Sequence, residues 1–211
     1  MAEPTVALWQ SVAKDDDLTA STEPFGRAID LGLSIMWSSC NLGASAPEEI
    51  GDYFAWGETT TKATFYGTDL NKHWNSGENQ SQDIGQDISG TQYDAARAQW
   101  GGIWRMPTQA ECEELINNCS SEWMTYNGST GHMLTGPNGN RIFFPKSLVL
   151  YESGSMNSYE DGEILVWTST LGNANGISNY ALYMSVSNNS LYIGNNHLRY
   201  RGMVIRPVTN Y

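Results

Sequence analysis

The chain has 211 residues, 40% hydrophobic and 16% charged residues, and a formal net charge of −12. These values are typical of one folded domain with a sizeable core and exclude a disordered chain. The acidic balance argues against a nucleic acid as partner, because binding to phosphates requires a basic face. No run of about 18 apolar residues occurs, so we expect no membrane span, and we expect no signal peptide within this sequence.

The first part of the chain divides into an arm and the start of a domain. Residues 1–26 have a weak pattern and predict an N-terminal arm or linker, followed by one domain over residues 27–211. The alternation over Ala28–Trp37 predicts a first strand. Gly51–Glu58 is a short aromatic run between glycines, and residues 59–90 predict a long surface excursion.

Two helices are predicted next. Thr91 is expected to cap the first helix, and Gly101 to stop it. After a connector predicted to be buried, Ile103–Met106, Thr108 and Glu111 form the pattern of a capping box for the second helix. Its spacing predicts one core-facing stripe, which consists of Cys112, Leu115, Ile116 and Cys119.

Beyond residue 120 the pattern has a period of two, which predicts strands separated by turns. The predicted strands are Trp123–Tyr126, His132–Thr135, Arg141–Phe144, Leu165–Thr168, Asn179–Val186, Leu191–Ile193 and Met203–Val208. Helices followed by antiparallel strands indicate an α+β domain, with two helices packed on a twisted antiparallel sheet with long loops.

The side chains that most often carry chemistry are sparse. The three cysteines predict small buried hydrophobic residues rather than a disulfide scaffold, with a Cys40 bridge as the alternative. His73, His132 and His197 have no metal-ligand spacing, and no Ser/His/Asp arrangement or phosphate-cradling loop is present. We therefore expect no enzyme, no metal and no cofactor.

The C-terminal segment differs in charge from the rest. No Asp or Glu follows Glu163, while Arg199, Arg201 and Arg206 do, so an acidic frame carries a segment of net positive charge. Asn, Ser and Tyr are frequent in this segment. Tyrosine offers a large rigid contact face, and Asn and Ser supply adaptable hydrogen bonds, which is the composition of antibody paratopes.

Several motifs together resemble a known family. They are Asp30–Ser34 with Trp37, Cys40–Ala44, Gly51–Glu58, Ile88–Ala96 leading into Trp104–Thr108, Trp167–Thr170 and Gly202–Val208. Over residues 27–208 the chain resembles bacterial surface proteins with a C-type-lectin-like fold, related to the formylglycine-generating enzyme. The resemblance implies an extracellular or cell-surface location.

Within that fold, the segment from Trp167 to Val208 resembles the variable region of the variable proteins of diversity-generating retroelements. In those proteins a reverse transcriptase rewrites adenines in the segment, and the frame displays the altered residues to a ligand. The resemblance implies a non-catalytic recognition module for a protein or cell-surface ligand. An ordinary surface adhesin or a calcium-independent glycan-binding domain remains the alternative.

The predicted binding surface combines one face of a strand with a later loop. If Leu182, Met184 and Val186 face the core, alternation leaves Asn179, Tyr183 and Ser185 outward. With the loop between Gly172 and Gly176 and the predicted loop 195–201, the expected ligand-binding residues are Asn173, Asn175, Asn179, Tyr183, Ser185, Asn195, Asn196, His197, Arg199, Tyr200 and Arg201.

Structural readings stand beside the functional ones. Asn173 and Asn175 also fit a plain loop, Tyr200 also fits a packing role, and Arg206 fits a structural anchor. A calcium site is not expected, since calcium requires several oxygen ligands and the segment has no carboxylate. A formylglycine-type enzyme is disfavoured because Cys112 and Cys119 lie upstream of that segment.

Overall fold

A computed structural model describes residues 26–65, 72–75, 80–147, 149–150, 156–157, 164–172, 179–187 and 191–211. Over these residues the chain is a mixed α+β structure with two helices and small antiparallel sheets. In chain order the elements are β1 (Ala28–Asp30), β2 (Met36–Ser38), β3 (Trp74–Asn75), β4 (Gln80–Ser81), α1 (Ala95–Trp100), α2 (Gln109–Asn118), β5 (Ser120–Tyr126), β6 (Ser129–Thr135), β7 (Arg141–Pro145), β8 (Val149–Leu150), β9 (Met156–Asn157), β10 (Ile164–Leu171), β11 (Tyr180–Val186), β12 (Leu191–Leu198) and β13 (Val208–Thr209).

The predicted first strand is two strands. β1 and β2 pair antiparallel, with Ile29 opposite Trp37, and β13 adds to the other side of β2. The prediction of one strand is wrong because Gly32 adopts φ +76° and its N–H donates to Asp30 Oδ1, which turns the chain back. This sheet joins the start of the domain to its end. Of the predicted arm, all but Gly26 lies outside the described residues.

Helix α1 begins later than predicted. Its N-cap is Asp94, whose carboxylate accepts from the backbone N–H of Arg97, Gly90 and Met106. Thr91 instead donates its hydroxyl to the carbonyl of Ile88. A fully buried carboxylate that accepts three backbone N–H groups fixes this helix end more firmly than a threonine hydroxyl. The helix ends at Gly101, as predicted.

Helix α2 follows its prediction closely. Thr108 and Glu111 form both hydrogen bonds of the capping box. Cys112 and Leu115 are fully buried in the main core, and Ile116 and Cys119 pack against it. The connector before α2 differs from its prediction, since Ile103 is 58% exposed.

The remaining described strands form two three-stranded antiparallel sheets, β5-β6-β7 and β10-β11-β12, and two two-stranded sheets, β3-β4 and β8-β9. The aromatic run Gly51–Glu58 makes a single bridge, between Phe54 and Met203, and contributes Phe54 and Trp56 to the interior. All three cysteines are free thiols, and Cys40 and Cys112 are buried, as predicted. Among the described residues, neither helix is long and apolar enough to cross a membrane.

Candidate functional site

The C-terminal segment builds the sheet β10-β11-β12, and the two faces of this sheet differ. One face, here called the α2 face, places Met184, Val186 and Ile193 in the core cluster that contains the stripe of α2. The other face, here called the tryptophan face, holds Trp167 and Tyr183. Because side chains alternate along a strand, the predicted site residues Tyr183, Ser185 and His197 all lie on the tryptophan face.

Both neighbours of β11 bulge at the level of Leu182. In β10 three residues separate Trp167 from Leu171, whereas only Leu182 separates their partners on β11. In β12 two residues separate Gly194 from His197, again opposite Leu182. Bulges bend a strand and redirect its side chains. Here they bend the sheet where the C-terminal segment passes from strand to turn.

Three aromatic side chains line up on the tryptophan face. The ring of Tyr183 lies 6.5 Å from that of Tyr192 and 4.7 Å from that of His197, both edge to face. Tyr192 is 43% exposed, Tyr183 is half-buried and His197 is 8% exposed. The Tyr183 ring lies directly over Gly194, where a Cβ atom would overlap it. Glycine at this position is what allows the ring to lie across β12.

His197 is held as a neutral ring. Its edge also faces Trp167, with 6.4 Å between ring centroids. Burial lowers the pKa of His197 to about 4, and the positive charge of Arg201 contributes in the same direction. The imidazole is therefore uncharged at neutral pH and serves as an aromatic member of the row.

Tyr200 and Arg201 continue this surface beyond the end of β12. Both are half-buried, and the Arg201 guanidinium lies 5.1 Å from the centre of the Tyr200 ring. We call the set Tyr183, Tyr192, His197, Tyr200 and Arg201 the C-terminal patch. It combines exposed tyrosine with one cation. Tyr180 is 41% exposed but lies on the α2 face by alternation, so it is outside the patch.

Asn179 and Arg199 have internal partners. The Asn179 side-chain oxygen accepts from the Ser81 N–H at 2.7 Å. Arg199 is 1% exposed; its guanidinium lies 4.7 Å from the Trp56 ring centre and donates to the Gln82 carbonyl at 2.9 Å. These two residues join the segment to the excursion that precedes α1.

Three sequence predictions about this surface are wrong. Arg199 was expected to contact a ligand, but its side chain is buried against Trp56. Ser185 was expected to face outward, but it is fully buried, since it lies opposite Leu165, which belongs to the core cluster that contains Trp167. The predicted loop 195–201 belongs to β12 as far as Leu198. Asn173 and Asn175 lie outside the described residues, as do the side chains of Asn195 and Asn196.

Sequence reasoning missed one exposed residue of the patch, Tyr192. The signal was present in the sequence, because Leu191 and Ile193 flank it and pack against the core. Alternation therefore points Tyr192 to the other face of the strand. The predicted strand Leu191–Ile193 already contained Tyr192 at its centre, between two apolar residues.

Buried contacts fix both ends of the segment. At its start, Trp167 donates its ring N–H to the Phe54 carbonyl, and the Thr168 carbonyl accepts from the Trp56 ring, each at 2.9 Å. At its end, the fully buried Arg206 donates to Asn41 Oδ1 at 2.8 Å and to two backbone carbonyls. Arg206 is thus a structural anchor, as predicted.

Two further features bear on chemistry. Within the ranges that the structure describes, no group of three or more His, Cys, Asp or Glu side chains could hold a metal ion. A cleft of about 330 Å³ lies beside the β5–β6 turn, between Ile50, Tyr53 and Lys146, away from the C-terminal patch.

No protein-family model matches the chain, and comparisons with curated proteins and with solved structures give no match either.

Proposed function

We propose that this chain is a non-catalytic recognition protein whose C-terminal patch binds a protein or cell-surface ligand. The observation that carries the proposal is the patch itself, in which Tyr192, Tyr183 and His197 form one row of rings and the half-buried Tyr200 and Arg201 follow just after β12. Tyrosine and arginine are the residues that dominate binding energy in protein interfaces. No carboxylate follows Glu163, so the segment's own charge favours an acidic or neutral partner.

The residues on the opposite face of the sheet from the patch support this role. Met184 and Val186 on the α2 face are fully buried, and α2 packs against that side of the sheet. The edge-to-face contacts of Tyr183 restrict its ring before any ligand arrives. A surface that is already ordered loses less conformational entropy on binding, which strengthens affinity.

The family resemblance is part of the same proposal. In this account the domain has a C-type-lectin-like fold, lies outside the cell or on its surface, and is a variable protein of a diversity-generating retroelement. Buried contacts at Trp167 and Arg206 support it, because they bracket the segment while the patch lies between them. The coding DNA tests it: we expect a nearby copy of the sequence for residues 167–208 that differs only at adenines, beside a reverse-transcriptase gene. Without that copy, the chain is an ordinary surface adhesin.

Selection from a peptide library tests the binding surface while the natural ligand is still unidentified. Disulfide-constrained peptides displayed on phage are selected on the wild-type protein and then measured against Tyr192→Ala and Arg201→Ala. Hot-spot truncations cost about 2 kcal/mol, roughly 30-fold in affinity. The matched control is Ile103→Ala, which removes another exposed apolar side chain outside the patch.

The outcomes of this selection are distinct. We expect the two patch variants to lose peptide binding and the control to retain it, with all three melting near the wild-type temperature. Equal binding to all four proteins would refute the patch. Binding only on a glycan array, lost in Tyr192→Ala, would assign the patch to sugars instead of polypeptides.

A further inference from the structure

We propose that the strand pair β3–β4 forms a second wall of the C-terminal patch, and that Asn179 and Arg199 are positioning residues that hold it there. The partner is then a polypeptide that contacts both the row of rings in the C-terminal patch and the strand pair β3–β4. This inference rests on the proposed function for the partner, whereas the role of the two residues stands on contacts within the chain.

Asn179 provides the first link between the walls. It lies immediately before β11, and its side-chain oxygen accepts from the Ser81 N–H at 2.7 Å. Its backbone carbonyl also accepts from the Arg199 N–H at 2.9 Å. The residue thus joins the beginning of β11, the end of β12 and strand β4.

Arg199 provides the second link. Its side chain is almost completely buried, stacks over Trp56 and donates to the Gln82 carbonyl, while its own carbonyl accepts from the Trp56 N–H at 2.8 Å. A ligand cannot reach a guanidinium that is covered in this way. Arg199 immediately precedes the patch residue Tyr200, so its bond to the Gln82 carbonyl joins the chain just after β4 to the segment that carries the patch.

The strand pair is also held on its other side. Ser81 lies opposite Trp74, and the Gln82 N–H donates to the His73 carbonyl at 2.6 Å. The His73 ring contacts the Gly57 carbonyl at 2.9 Å and meets Tyr93 edge to face. Gln82 and Lys72, which flank the strand pair in sequence, have exposed side chains, and the Lys72 ammonium donates to Thr60 Oγ1 at 2.9 Å.

The extent of the surface favours a polypeptide. Tyr192 lies opposite Ser185, six positions along the chain from Asn179, where β4 is attached. At about 3.3 Å per residue the surface from Tyr192 to β4 extends roughly 20 Å along the sheet. That length suits a protein interface of about 800 Å² per partner and exceeds the reach of a single sugar or a small metabolite.

The positioning role is tested without any ligand, by amide hydrogen exchange of Ser81 measured by NMR. Asn179→Ala removes the acceptor of the Ser81 N–H, so exchange is expected to accelerate roughly tenfold. Asn179→Asp keeps an oxygen acceptor and is expected to retain slow exchange. Arg199→Met removes the donor to the Gln82 carbonyl and so loosens the strand pair, which is expected to accelerate exchange of the Gln82 N–H from its bond to the His73 carbonyl. Unchanged exchange in Asn179→Ala and Arg199→Met would overturn the positioning role.

The second wall is tested with patch-dependent peptides selected as described above. The double variant Lys72→Ala/Gln82→Ala changes only exposed side chains and is expected to weaken peptide binding about tenfold, with an unchanged melting temperature. Ile103→Ala is again the control. Full affinity in the double variant would overturn the second wall while the proposed function stands. A failure to recover any peptide would overturn the polypeptide partner, and amide exchange would still decide the positioning role.

Discussion

Replacing Gly194 with alanine tests the geometry of the aromatic row most sharply. A Cβ atom at this position would overlap the ring of Tyr183, so the ring must rotate away from β12. That rotation removes the edge-to-face contacts of Tyr183 with Tyr192 and His197. Gly194 does not have a positive φ, so the backbone itself tolerates alanine.

The magnitude follows from these contacts. Each aromatic pair contributes about 0.5–1.5 kcal/mol, so the loss of two pairs costs about 1–3 kcal/mol. Restricting the unfolded chain at a former glycine returns about 0.4–1 kcal/mol. We therefore expect Gly194→Ala to lower the free energy of unfolding by about 1–2 kcal/mol in the wild-type background.

A double-mutant cycle isolates the cause. In the Tyr183→Ala background the overlap is gone, and Gly194→Ala should be neutral or stabilising by up to about 1 kcal/mol. Urea unfolding of the four proteins, compared through their midpoints and slopes, measures both differences. An equal cost of Gly194→Ala in both backgrounds would refute the placement of the Tyr183 ring over β12.

Two further predictions concern the free energy of unfolding and the buried side chains of His197 and Arg206. The pKa of His197 is lowered from 6.5 to about 4 in the folded protein. Between these pH values the imidazole is therefore protonated in the unfolded chain and neutral in the folded chain. His197 should thus lower the free energy of unfolding as pH falls from about 6.5 to 4, by at most about 3 kcal/mol. In urea titrations at each pH, His197→Gln should lose this share of the dependence, while His73 and His132, whose pKa values burial also lowers, keep theirs. Arg206→Met should cost about 3–5 kcal/mol in the same assay, since Asn41 Oδ1 and two carbonyls lose their donor inside the core; a cost below about 1 kcal/mol would contradict the anchor.

Local patterns in the sequence predicted local structure well. The Thr108–Glu111 capping box depends on groups three residues apart, and the stripe of Cys112 and Leu115 depends only on helical periodicity. Gly101 as the end of α1 has the same local origin. Each of these features is determined by neighbouring residues, so one sequence is sufficient to find it.

Features that depend on distant parts of the chain escaped prediction. Ser185 alternates as an outward residue, but its burial depends on Leu165, its partner on β10, and on the core cluster to which Leu165 belongs. Arg199 has the composition of a contact residue, but Trp56 and Gln82 enclose it from far along the sequence. Asp94 replaces Thr91 as the cap because Met106 also donates to its carboxylate. Such contacts are set by the tertiary fold.

The structure of the protein in complex with a patch-dependent peptide is the most direct test of whether the C-terminal patch is the binding surface. We expect the bound peptide to cover Tyr183, Tyr192 and Arg201, with these side chains in nearly the positions they have in the free protein. A peptide bound in the cleft between Ile50 and Tyr53, with the C-terminal patch left open to solvent, would contradict it.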